Sequence, residues 1–415
     1  MKDFFKKRIG LIILLVAIFA FPSSLSTQAR LNMRAIVTGL AIDKVDDKYE
    51  VTAQIVKTSP STESGGEKAT VNFVSDNDET VIGAISKLSY KTGKTSAFSH
   101  TNFIIIGKDV LEEDLTQTLD YFMRDNITND SMLLLVAEEK ASDEIKKTKD
   151  VELSIAIGLQ KVFMYREKEG DGVMNSVLEF MKDSKESSGT SVVSLLALEK
   201  NDEQSEDNPT GGGSSSSSGS SGESGTEDGG EQGGGSKYQY FKAQTELGCF
   251  VDGRYVGKLE KDEVLGYMLA NKKATIDDVY AEDFDKTVFN AKRVGVKIKD
   301  KTNKLKIRYE NNIPCLDLVV KIKNSAIYEI QSEEFVDAPT DAEFSEIKNG
   351  LKKKIAENIS KCFEKSKELK ADIWGAYLLA QKHHYKQTNM YYKNREDFLS
   401  NLKLNVIVEI DRLEY

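Results

Sequence analysis

Ala35-Ile36-Val37-Thr38-Gly39-Leu40-Ala41-Ile42 and Tyr49-Glu50-Val51-Thr52-Ala53-Gln54-Ile55-Val56 are two runs rich in β-branched residues, separated by the polar stretch 43–48. Two such runs across a short polar segment predict a β-hairpin. The chain therefore opens with strands that pair without a helix between them, which argues against a doubly wound sheet. Further on, residues 79–90 repeat apolar side chains at helical spacing (Val81, Ile82, Ile85, Leu88), and 102–106 read as a strand. A helix over about 111–123, a strand at 132–136, helices near 155–163 and 173–181 and an apolar run at 192–198 follow. Interleaved helices and strands behind a paired start predict an α+β fold, multi-domain, with mixed sheets and packed helices.

Residues 201–236 hold eleven Gly, ten Ser and eight acids with no base. Such a composition cannot bury apolar surface and is expected to be a flexible linker, its ends roughly 30–36 Å apart on average. It either separates two modules or loops out between segments that still pack together. The chain is accordingly divided into a signal or anchor segment (1–29), an N-terminal α+β domain (30–200), the Gly/Ser/acidic linker (201–237) and a C-terminal α+β region (238–415). A further division near residue 285 is left open.

Beyond the linker, residues 250–257 predict a tight hairpin turning at Asp252-Gly253. Leu316, Leu318, Val320 and Ile322 alternate with polar residues as a strand. Thr340 followed by Glu343 is a capping box that starts a long helix, with the apolar stripe Phe344, Ile347, Leu351, Ile355, Ile359 and Phe363. Steps of four residues overshoot one turn by about 40°, so the stripe winds and calls for a partner surface that follows it. Leu402, Leu404, Val406, Val408 and Ile410 predict a final strand with one buried face.

The chain has 415 residues and a net charge of −10. Since the linker holds eight uncompensated acids, the rest carries only −2. That near-neutral balance offers no basic patch for a nucleic acid. At the N-terminus, Lys2, Lys6, Lys7 and Arg8 precede an apolar run over 9–21 closed by Pro22. A basic flank and a short apolar run are an export signal or a retained anchor, placing the remainder outside the cytoplasm. Cleavage is poorly signalled, and both outcomes stay open. Three cysteines, Cys249, Cys315 and Cys362, lack metal-ligand spacing and read as buried core thiols, with one disulfide left open.

No constellation of catalytic residues emerges. The histidines are His100 and the adjacent pair His383-His384, and neighbouring helix positions point about 100° apart, too far for one ion. No P-loop, H-E-x-x-H or nucleophile elbow occurs. Lys348, Lys352, Lys353 and Lys354 read as the solvated face of the long helix, and Trp374 with Tyr377, Tyr385, Tyr391 and Tyr392 as packing aromatics. The expectation is therefore no catalytic, cofactor-binding or metal site, and no cofactor.

The order of these segments resembles the Ger(x)C family, the GerAC-type C subunits of spore germinant receptors. The resemblance rests on the strand pair 35–43 and 49–56, on Ser99-His100-Thr101-Asn102-Phe103-Ile104-Ile105-Ile106-Gly107, and on Phe122-Met123-Arg124-Asp125 with the strand 133–137. It continues in the hairpin 250–259, Asp372-Ile373-Trp374-Gly375 and the last strand. Each motif is a short structural pattern; their order over most of the chain is what makes the likeness specific. The family's usual lipobox is missing, since no cysteine precedes Cys249, so lipidation is not expected. The linker is an expansion that should tolerate shortening.

This resemblance implies a non-catalytic, extracytoplasmic subunit of a spore germinant receptor at the spore inner membrane, needed for germination in response to small nutrients. Its implied partners are the polytopic A- and B-type receptor subunits. Arg124 and Asp125, with Asp372, Trp374 and Gly375, are the candidate structural or contact residues. The alternative is an exported solute-binding protein of a transporter, which would need a ligand cleft between two repeated βαβ halves.

Overall fold

The computed structural model of the protein describes residues 34–60, 67–124, 129, 131–147, 155–196, 198–199, 240–241, 246–271, 276–332 and 338–415. The opening hairpin is β1 (Arg34–Val45) and β2 (Lys48–Pro60), paired antiparallel. Its two-residue turn, Asp46-Asp47, takes positive φ at both positions (50° and 60°). Aspartate tolerates this left-handed geometry, and the turn's twist suits the flanking strands. β3 (Glu67–Asp78) adds to β2, and α1 (Val81–Thr92) packs back with Val81, Ala84, Ile85 and Leu88 buried.

On the other side of β1, the short β4 (Thr95–Ala97) and then β5 (Phe103–Ile106) run parallel to it. The single helix expected over 111–123 is broken into a 3-10 turn (Lys108–Glu112), α2 (Leu115–Thr118) and α3 (Asp120–Arg124). Asp114 causes the break, because its carboxylate accepts the Thr116 N–H at 2.9 Å and its hydroxyl at 2.7 Å and so restarts the helix. β6 (Leu133–Ala137), α4 (Ala141–Lys147), α5 (Ile155–Glu169), α6 (Val177–Asp183) and β7 (Thr190–Leu196) complete this half. α6 starts later than periodicity alone indicates. Val173 and Asn175 bond in extended form to Ser194 and Leu134, and Ser176 with Glu179 forms the capping box.

β8 (Leu198–Glu199) and β9 (Tyr240–Phe241) flank the Gly/Ser/acidic stretch and pair antiparallel, Leu198 opposite Phe241. The ends are thus brought together rather than held at free-chain distance, because the next strands return to the same sheet. β10 (Leu247–Val251) pairs antiparallel with β7, and β11 (Arg254–Leu259) lies outside it. The first sheet, in order β11-β10-β7-β6-β5-β1-β2-β3, therefore takes strands from both sides of that stretch. Its centre, β1-β5-β6-β7, is parallel and covered on both faces, as the wholly buried β5, β6 and β7 require.

The second sheet has the order β12-β13-β14-β15, from β12 (Ile276–Ala281), β13 (Ala291–Glu310), β14 (Ile313–Ser332) and β15 (Lys403–Ile410); β16 (Leu413–Glu414) also pairs with β14. β13 and β14 form a 20-residue-per-arm hairpin around the left-handed turn Asn311-Asn312. α7 (Lys261–Ala270) and the 28-residue α8 (Asp341–Glu368) cover it. The Thr340/Glu343 box caps α8, and Ile347, Leu351, Ile355, Ile359 and Phe363 are buried. The winding stripe has two partners, the sheet and α7. Three short helices, α9 (Ala376–His383), α10 (Tyr385–Tyr391) and α11 (Arg395–Asn401), close one end over Phe398, Leu399 and Leu402. The architecture is α+β, with two mixed sheets and packed helices.

Candidate functional site

Between α8 and α9 the chain turns through Asp372-Ile373-Trp374-Gly375. Asp372 is buried at 4% exposure, and its carboxylate caps α9. Oδ1 accepts the Ala376 N–H at 2.7 Å and Oδ2 the Tyr377 N–H at 2.9 Å. Two donors left open by the helix start are satisfied by one side chain. Gly375 immediately before the helix sits at φ +65°, a left-handed geometry that glycine reaches without strain. The spacing Asp-x-x-Gly is thus the recipe for a buried helix start. Burial pushes the Asp372 carboxyl up to about 6, opposed by the two backbone donors and the nearby Arg395.

Trp374 stacks on Phe363 of α8, ring planes 4° apart with centroids at 6.2 Å, and clamps this turn to the long helix. The Asp372 N–H donates to Thr190 Oγ1 of β7 at 3.0 Å, and the Thr190 hydroxyl donates to Ser188 O at 2.9 Å. Arg395 of α11 donates to the same Ser188 carbonyl at 2.8 Å and grips Asp252 of the β10–β11 turn with both guanidinium nitrogens, at 3.1 and 2.7 Å. Asp252 in turn donates its N–H to Gly189 O at 2.7 Å. Gly189 has φ +54°, and a Cβ there would lie 2.0 Å from Arg395 and 2.2 Å from Asp252. The second sheet's terminal helices are thereby bolted to the start of β7 and the β10–β11 turn of the first sheet.

Of the residues singled out from sequence, Asp372, Trp374 and Gly375 come together in this junction. Arg124 ends α3, is 78% exposed and pairs with Asp120 one turn earlier; Asp125 lies outside the described residues. Arg124 lines an open groove of about 530 Å³ with Tyr49, Ile82, Gln117 and Tyr121, and among the described residues no contact joins it to the Asp372 turn. Lys353 of the long helix reaches Asp283 at 3.4 Å. His384 bonds through Nε2 to Ile307 O at 3.1 Å and packs edge-on against Tyr309. The three cysteines are buried and free, and burial pushes the Cys249 thiol up to about 12.

Thr190, Ser188, Asp252 and Arg395 were not legible as partners, since they lie up to 207 positions apart. Asp43 was also missed: it is buried at the end of β1, where its carboxylate accepts the Ala141 and Ser142 N–H groups at 2.7 and 2.8 Å and caps α4. Its only signal was an acid closing an apolar strand. Both buried aspartates bind backbone amides. Among the described residues no group of three or more His, Cys, Asp or Glu could hold a metal ion. No described helix is long and apolar enough to cross a membrane, and the apolar run 9–21 lies outside the described residues.

A family model described as the spore germination protein N-terminal domain matches residues 27–198, and one described as spore germination B3/GerAC like, C-terminal, matches 245–413. Spore germination protein B3 of Bacillus subtilis (strain 168) is 30% identical over 112 residues, 26% of this chain and 29% of that protein. The matched stretch thus spans under a third of that relative's length. Among solved structures, the crystal structure of the GerBC protein shares the fold with a TM-score of 0.51 at 15% identity, covering 90% of this chain and 96% of that one.

Proposed function

The chain belongs to the GerAC-like spore germination proteins of the Ger(x)C family, and on that premise we propose that it is a non-catalytic, extracytoplasmic subunit of a spore germinant receptor at the spore inner membrane. In this reading it assembles with polytopic A- and B-type subunits and is needed for germination in response to small nutrients. The observation that carries the proposal is the match of both family regions in order, over 27–198 and 245–413. The use of two buried aspartates agrees with it. Asp372 and Asp43 are spent on backbone amides, which fits a scaffold that presents surfaces.

The test is a pull-down of the tagged protein from detergent-solubilised spore membranes, with mass spectrometry of its partners and of its own N-terminal peptide. Recovery with two polytopic subunits is the expected result. A peptide retaining residues 11–21 would make the apolar segment an anchor. Recovery alone in a soluble fraction would overturn the proposal and bring the solute-binding reading forward.

A further inference from the structure

Helices α9 and α10 carry a surface that the junction does not use. Residues 373–394 contain three lysines, Lys382, Lys386 and Lys393, and no aspartate or glutamate, in a chain of net charge −10. None of the three is in an ion pair among the described residues, whereas Lys321, Lys361 and Lys370 of the same half each have a carboxylate partner. Beside them Tyr385, Met390 and Tyr391 stand 64%, 77% and 46% exposed. With Thr388 buried against the sheet, Lys386 and Met390 lie about 200° around α10, on its outer side.

The patch is rigidly mounted. Tyr309 and Thr388 share a hydroxyl hydrogen bond at 2.7 Å, Tyr392 donates to Asn312 O at 2.7 Å, and His384 holds Ile307 O. Acids on the neighbouring elements are engaged: Glu310 pairs with Arg308, Glu396 pairs with Lys370, and the Asp397 carboxylate accepts the Lys393 N–H at 3.1 Å. An outward cap of unpaired lysines around exposed tyrosines and a methionine has the chemistry of an interfacial membrane contact.

We propose that the α9–α10 face docks on an anionic phospholipid surface. Met390 and the rings of Tyr385 and Tyr391 enter the headgroup layer, and Lys382, Lys386 and Lys393 meet the lipid phosphates. Charge complementarity selects this occupant, because three lysines without an ion pair among the described residues favour an anionic plane and the tyrosines suit its polar–apolar boundary. The inference goes beyond the receptor reading and does not depend on it, since it concerns lipid alone.

The test uses the full chain carrying Asn389→Cys, labelled with an environment-sensitive fluorophore; the native thiols are buried and do not compete. Vesicles of phosphatidylcholine, with or without about one third phosphatidylglycerol, are added. A blue-shifted, enhanced emission is expected with anionic vesicles only. It should be lost at about 0.5 M salt, and partitioning should fall about fivefold for each lysine changed to glutamine. Met390→Asp should weaken it without altering the fold. A control label at Ser345→Cys on α8 should stay dark even when the N-terminal segment holds the chain on the vesicle. Silence at position 389 while the chain sediments with anionic vesicles, or equal responses in both lipids or at both positions, would overturn the proposal and leave the face to an acidic protein partner.

Discussion

The N–H of Asp372 donates to the hydroxyl of Thr190 at 3.0 Å, joining residues 182 positions apart. Since the same aspartate caps α9, one residue both starts a helix and ties it to the other sheet. At about pH 4, below the range in which the folded state's carboxyl ionises, Asp372→Ala should lower stability by about 2–4 kcal/mol, because two buried amides lose their acceptor. Thr190→Val should cost about 1 kcal/mol. The single tryptophan, Trp374, sits in this turn, so its fluorescence during urea unfolding reads the junction directly. An unchanged midpoint for Asp372→Ala would remove the residue from this role.

Burial pushes the Asp372 carboxyl up to about 6, above its ordinary value of 3.8. The folded state thus holds the proton more tightly than the unfolded chain. That contribution to stability is fully present below the ordinary value and is lost as pH rises through about 6. Asp372→Asn carries no such proton. Relative to the parent, the variant should gain stability between pH 4 and 7, by up to about 3 kcal/mol. Asp183, also pushed up to about 6 chiefly by burial, contributes in the same sense and window. A flat difference between Asp372→Asn and the parent would contradict the assignment.

Where α7 crosses α8, Gly266 lies against the backbone of Asn358, and a Cβ at 266 would sit 2.1 Å from that carbonyl oxygen. Backbone cannot rotate aside as a side chain can. Gly266→Ala should therefore destabilise by about 1–3 kcal/mol, measured by urea denaturation.

Removing residues 205–234 should leave the fold intact. β8 and β9 are already paired across the stretch, and closure entropy changes slowly with loop length, so stability should move by no more than about 1 kcal/mol. Loss of soluble, cooperatively unfolding protein would count against this.

Among the described residues Arg124 pairs with Asp120 alone, on an exposed surface. Arg124→Ala should shift unfolding by less than about 0.5 kcal/mol. Spores carrying it at normal protein levels therefore test contact alone: slowed germination marks Arg124 as part of an interface, and normal germination releases it.

Elements with their own periodicity were readable without the fold. The opening hairpin, the strand at 316–322, the Thr340-capped helix and the alternating last strand all follow from patterns within about 25 residues, because local backbone geometry dictates which side chains share a face. The Asp372, Trp374 and Gly375 turn was visible as a motif. Its purpose was not: an aspartate before a helix looks the same whether it faces water or closes a junction. The broken helix at 111–124 shows the same limit, since Asp114 restarts it in register with Gly253 and Arg254 far along the chain. Nor could composition tell that β10 and β11 return to the first sheet. Pairing partners, burial and the resulting shift of a carboxyl depend on which surfaces meet, and that is a property of the packed chain.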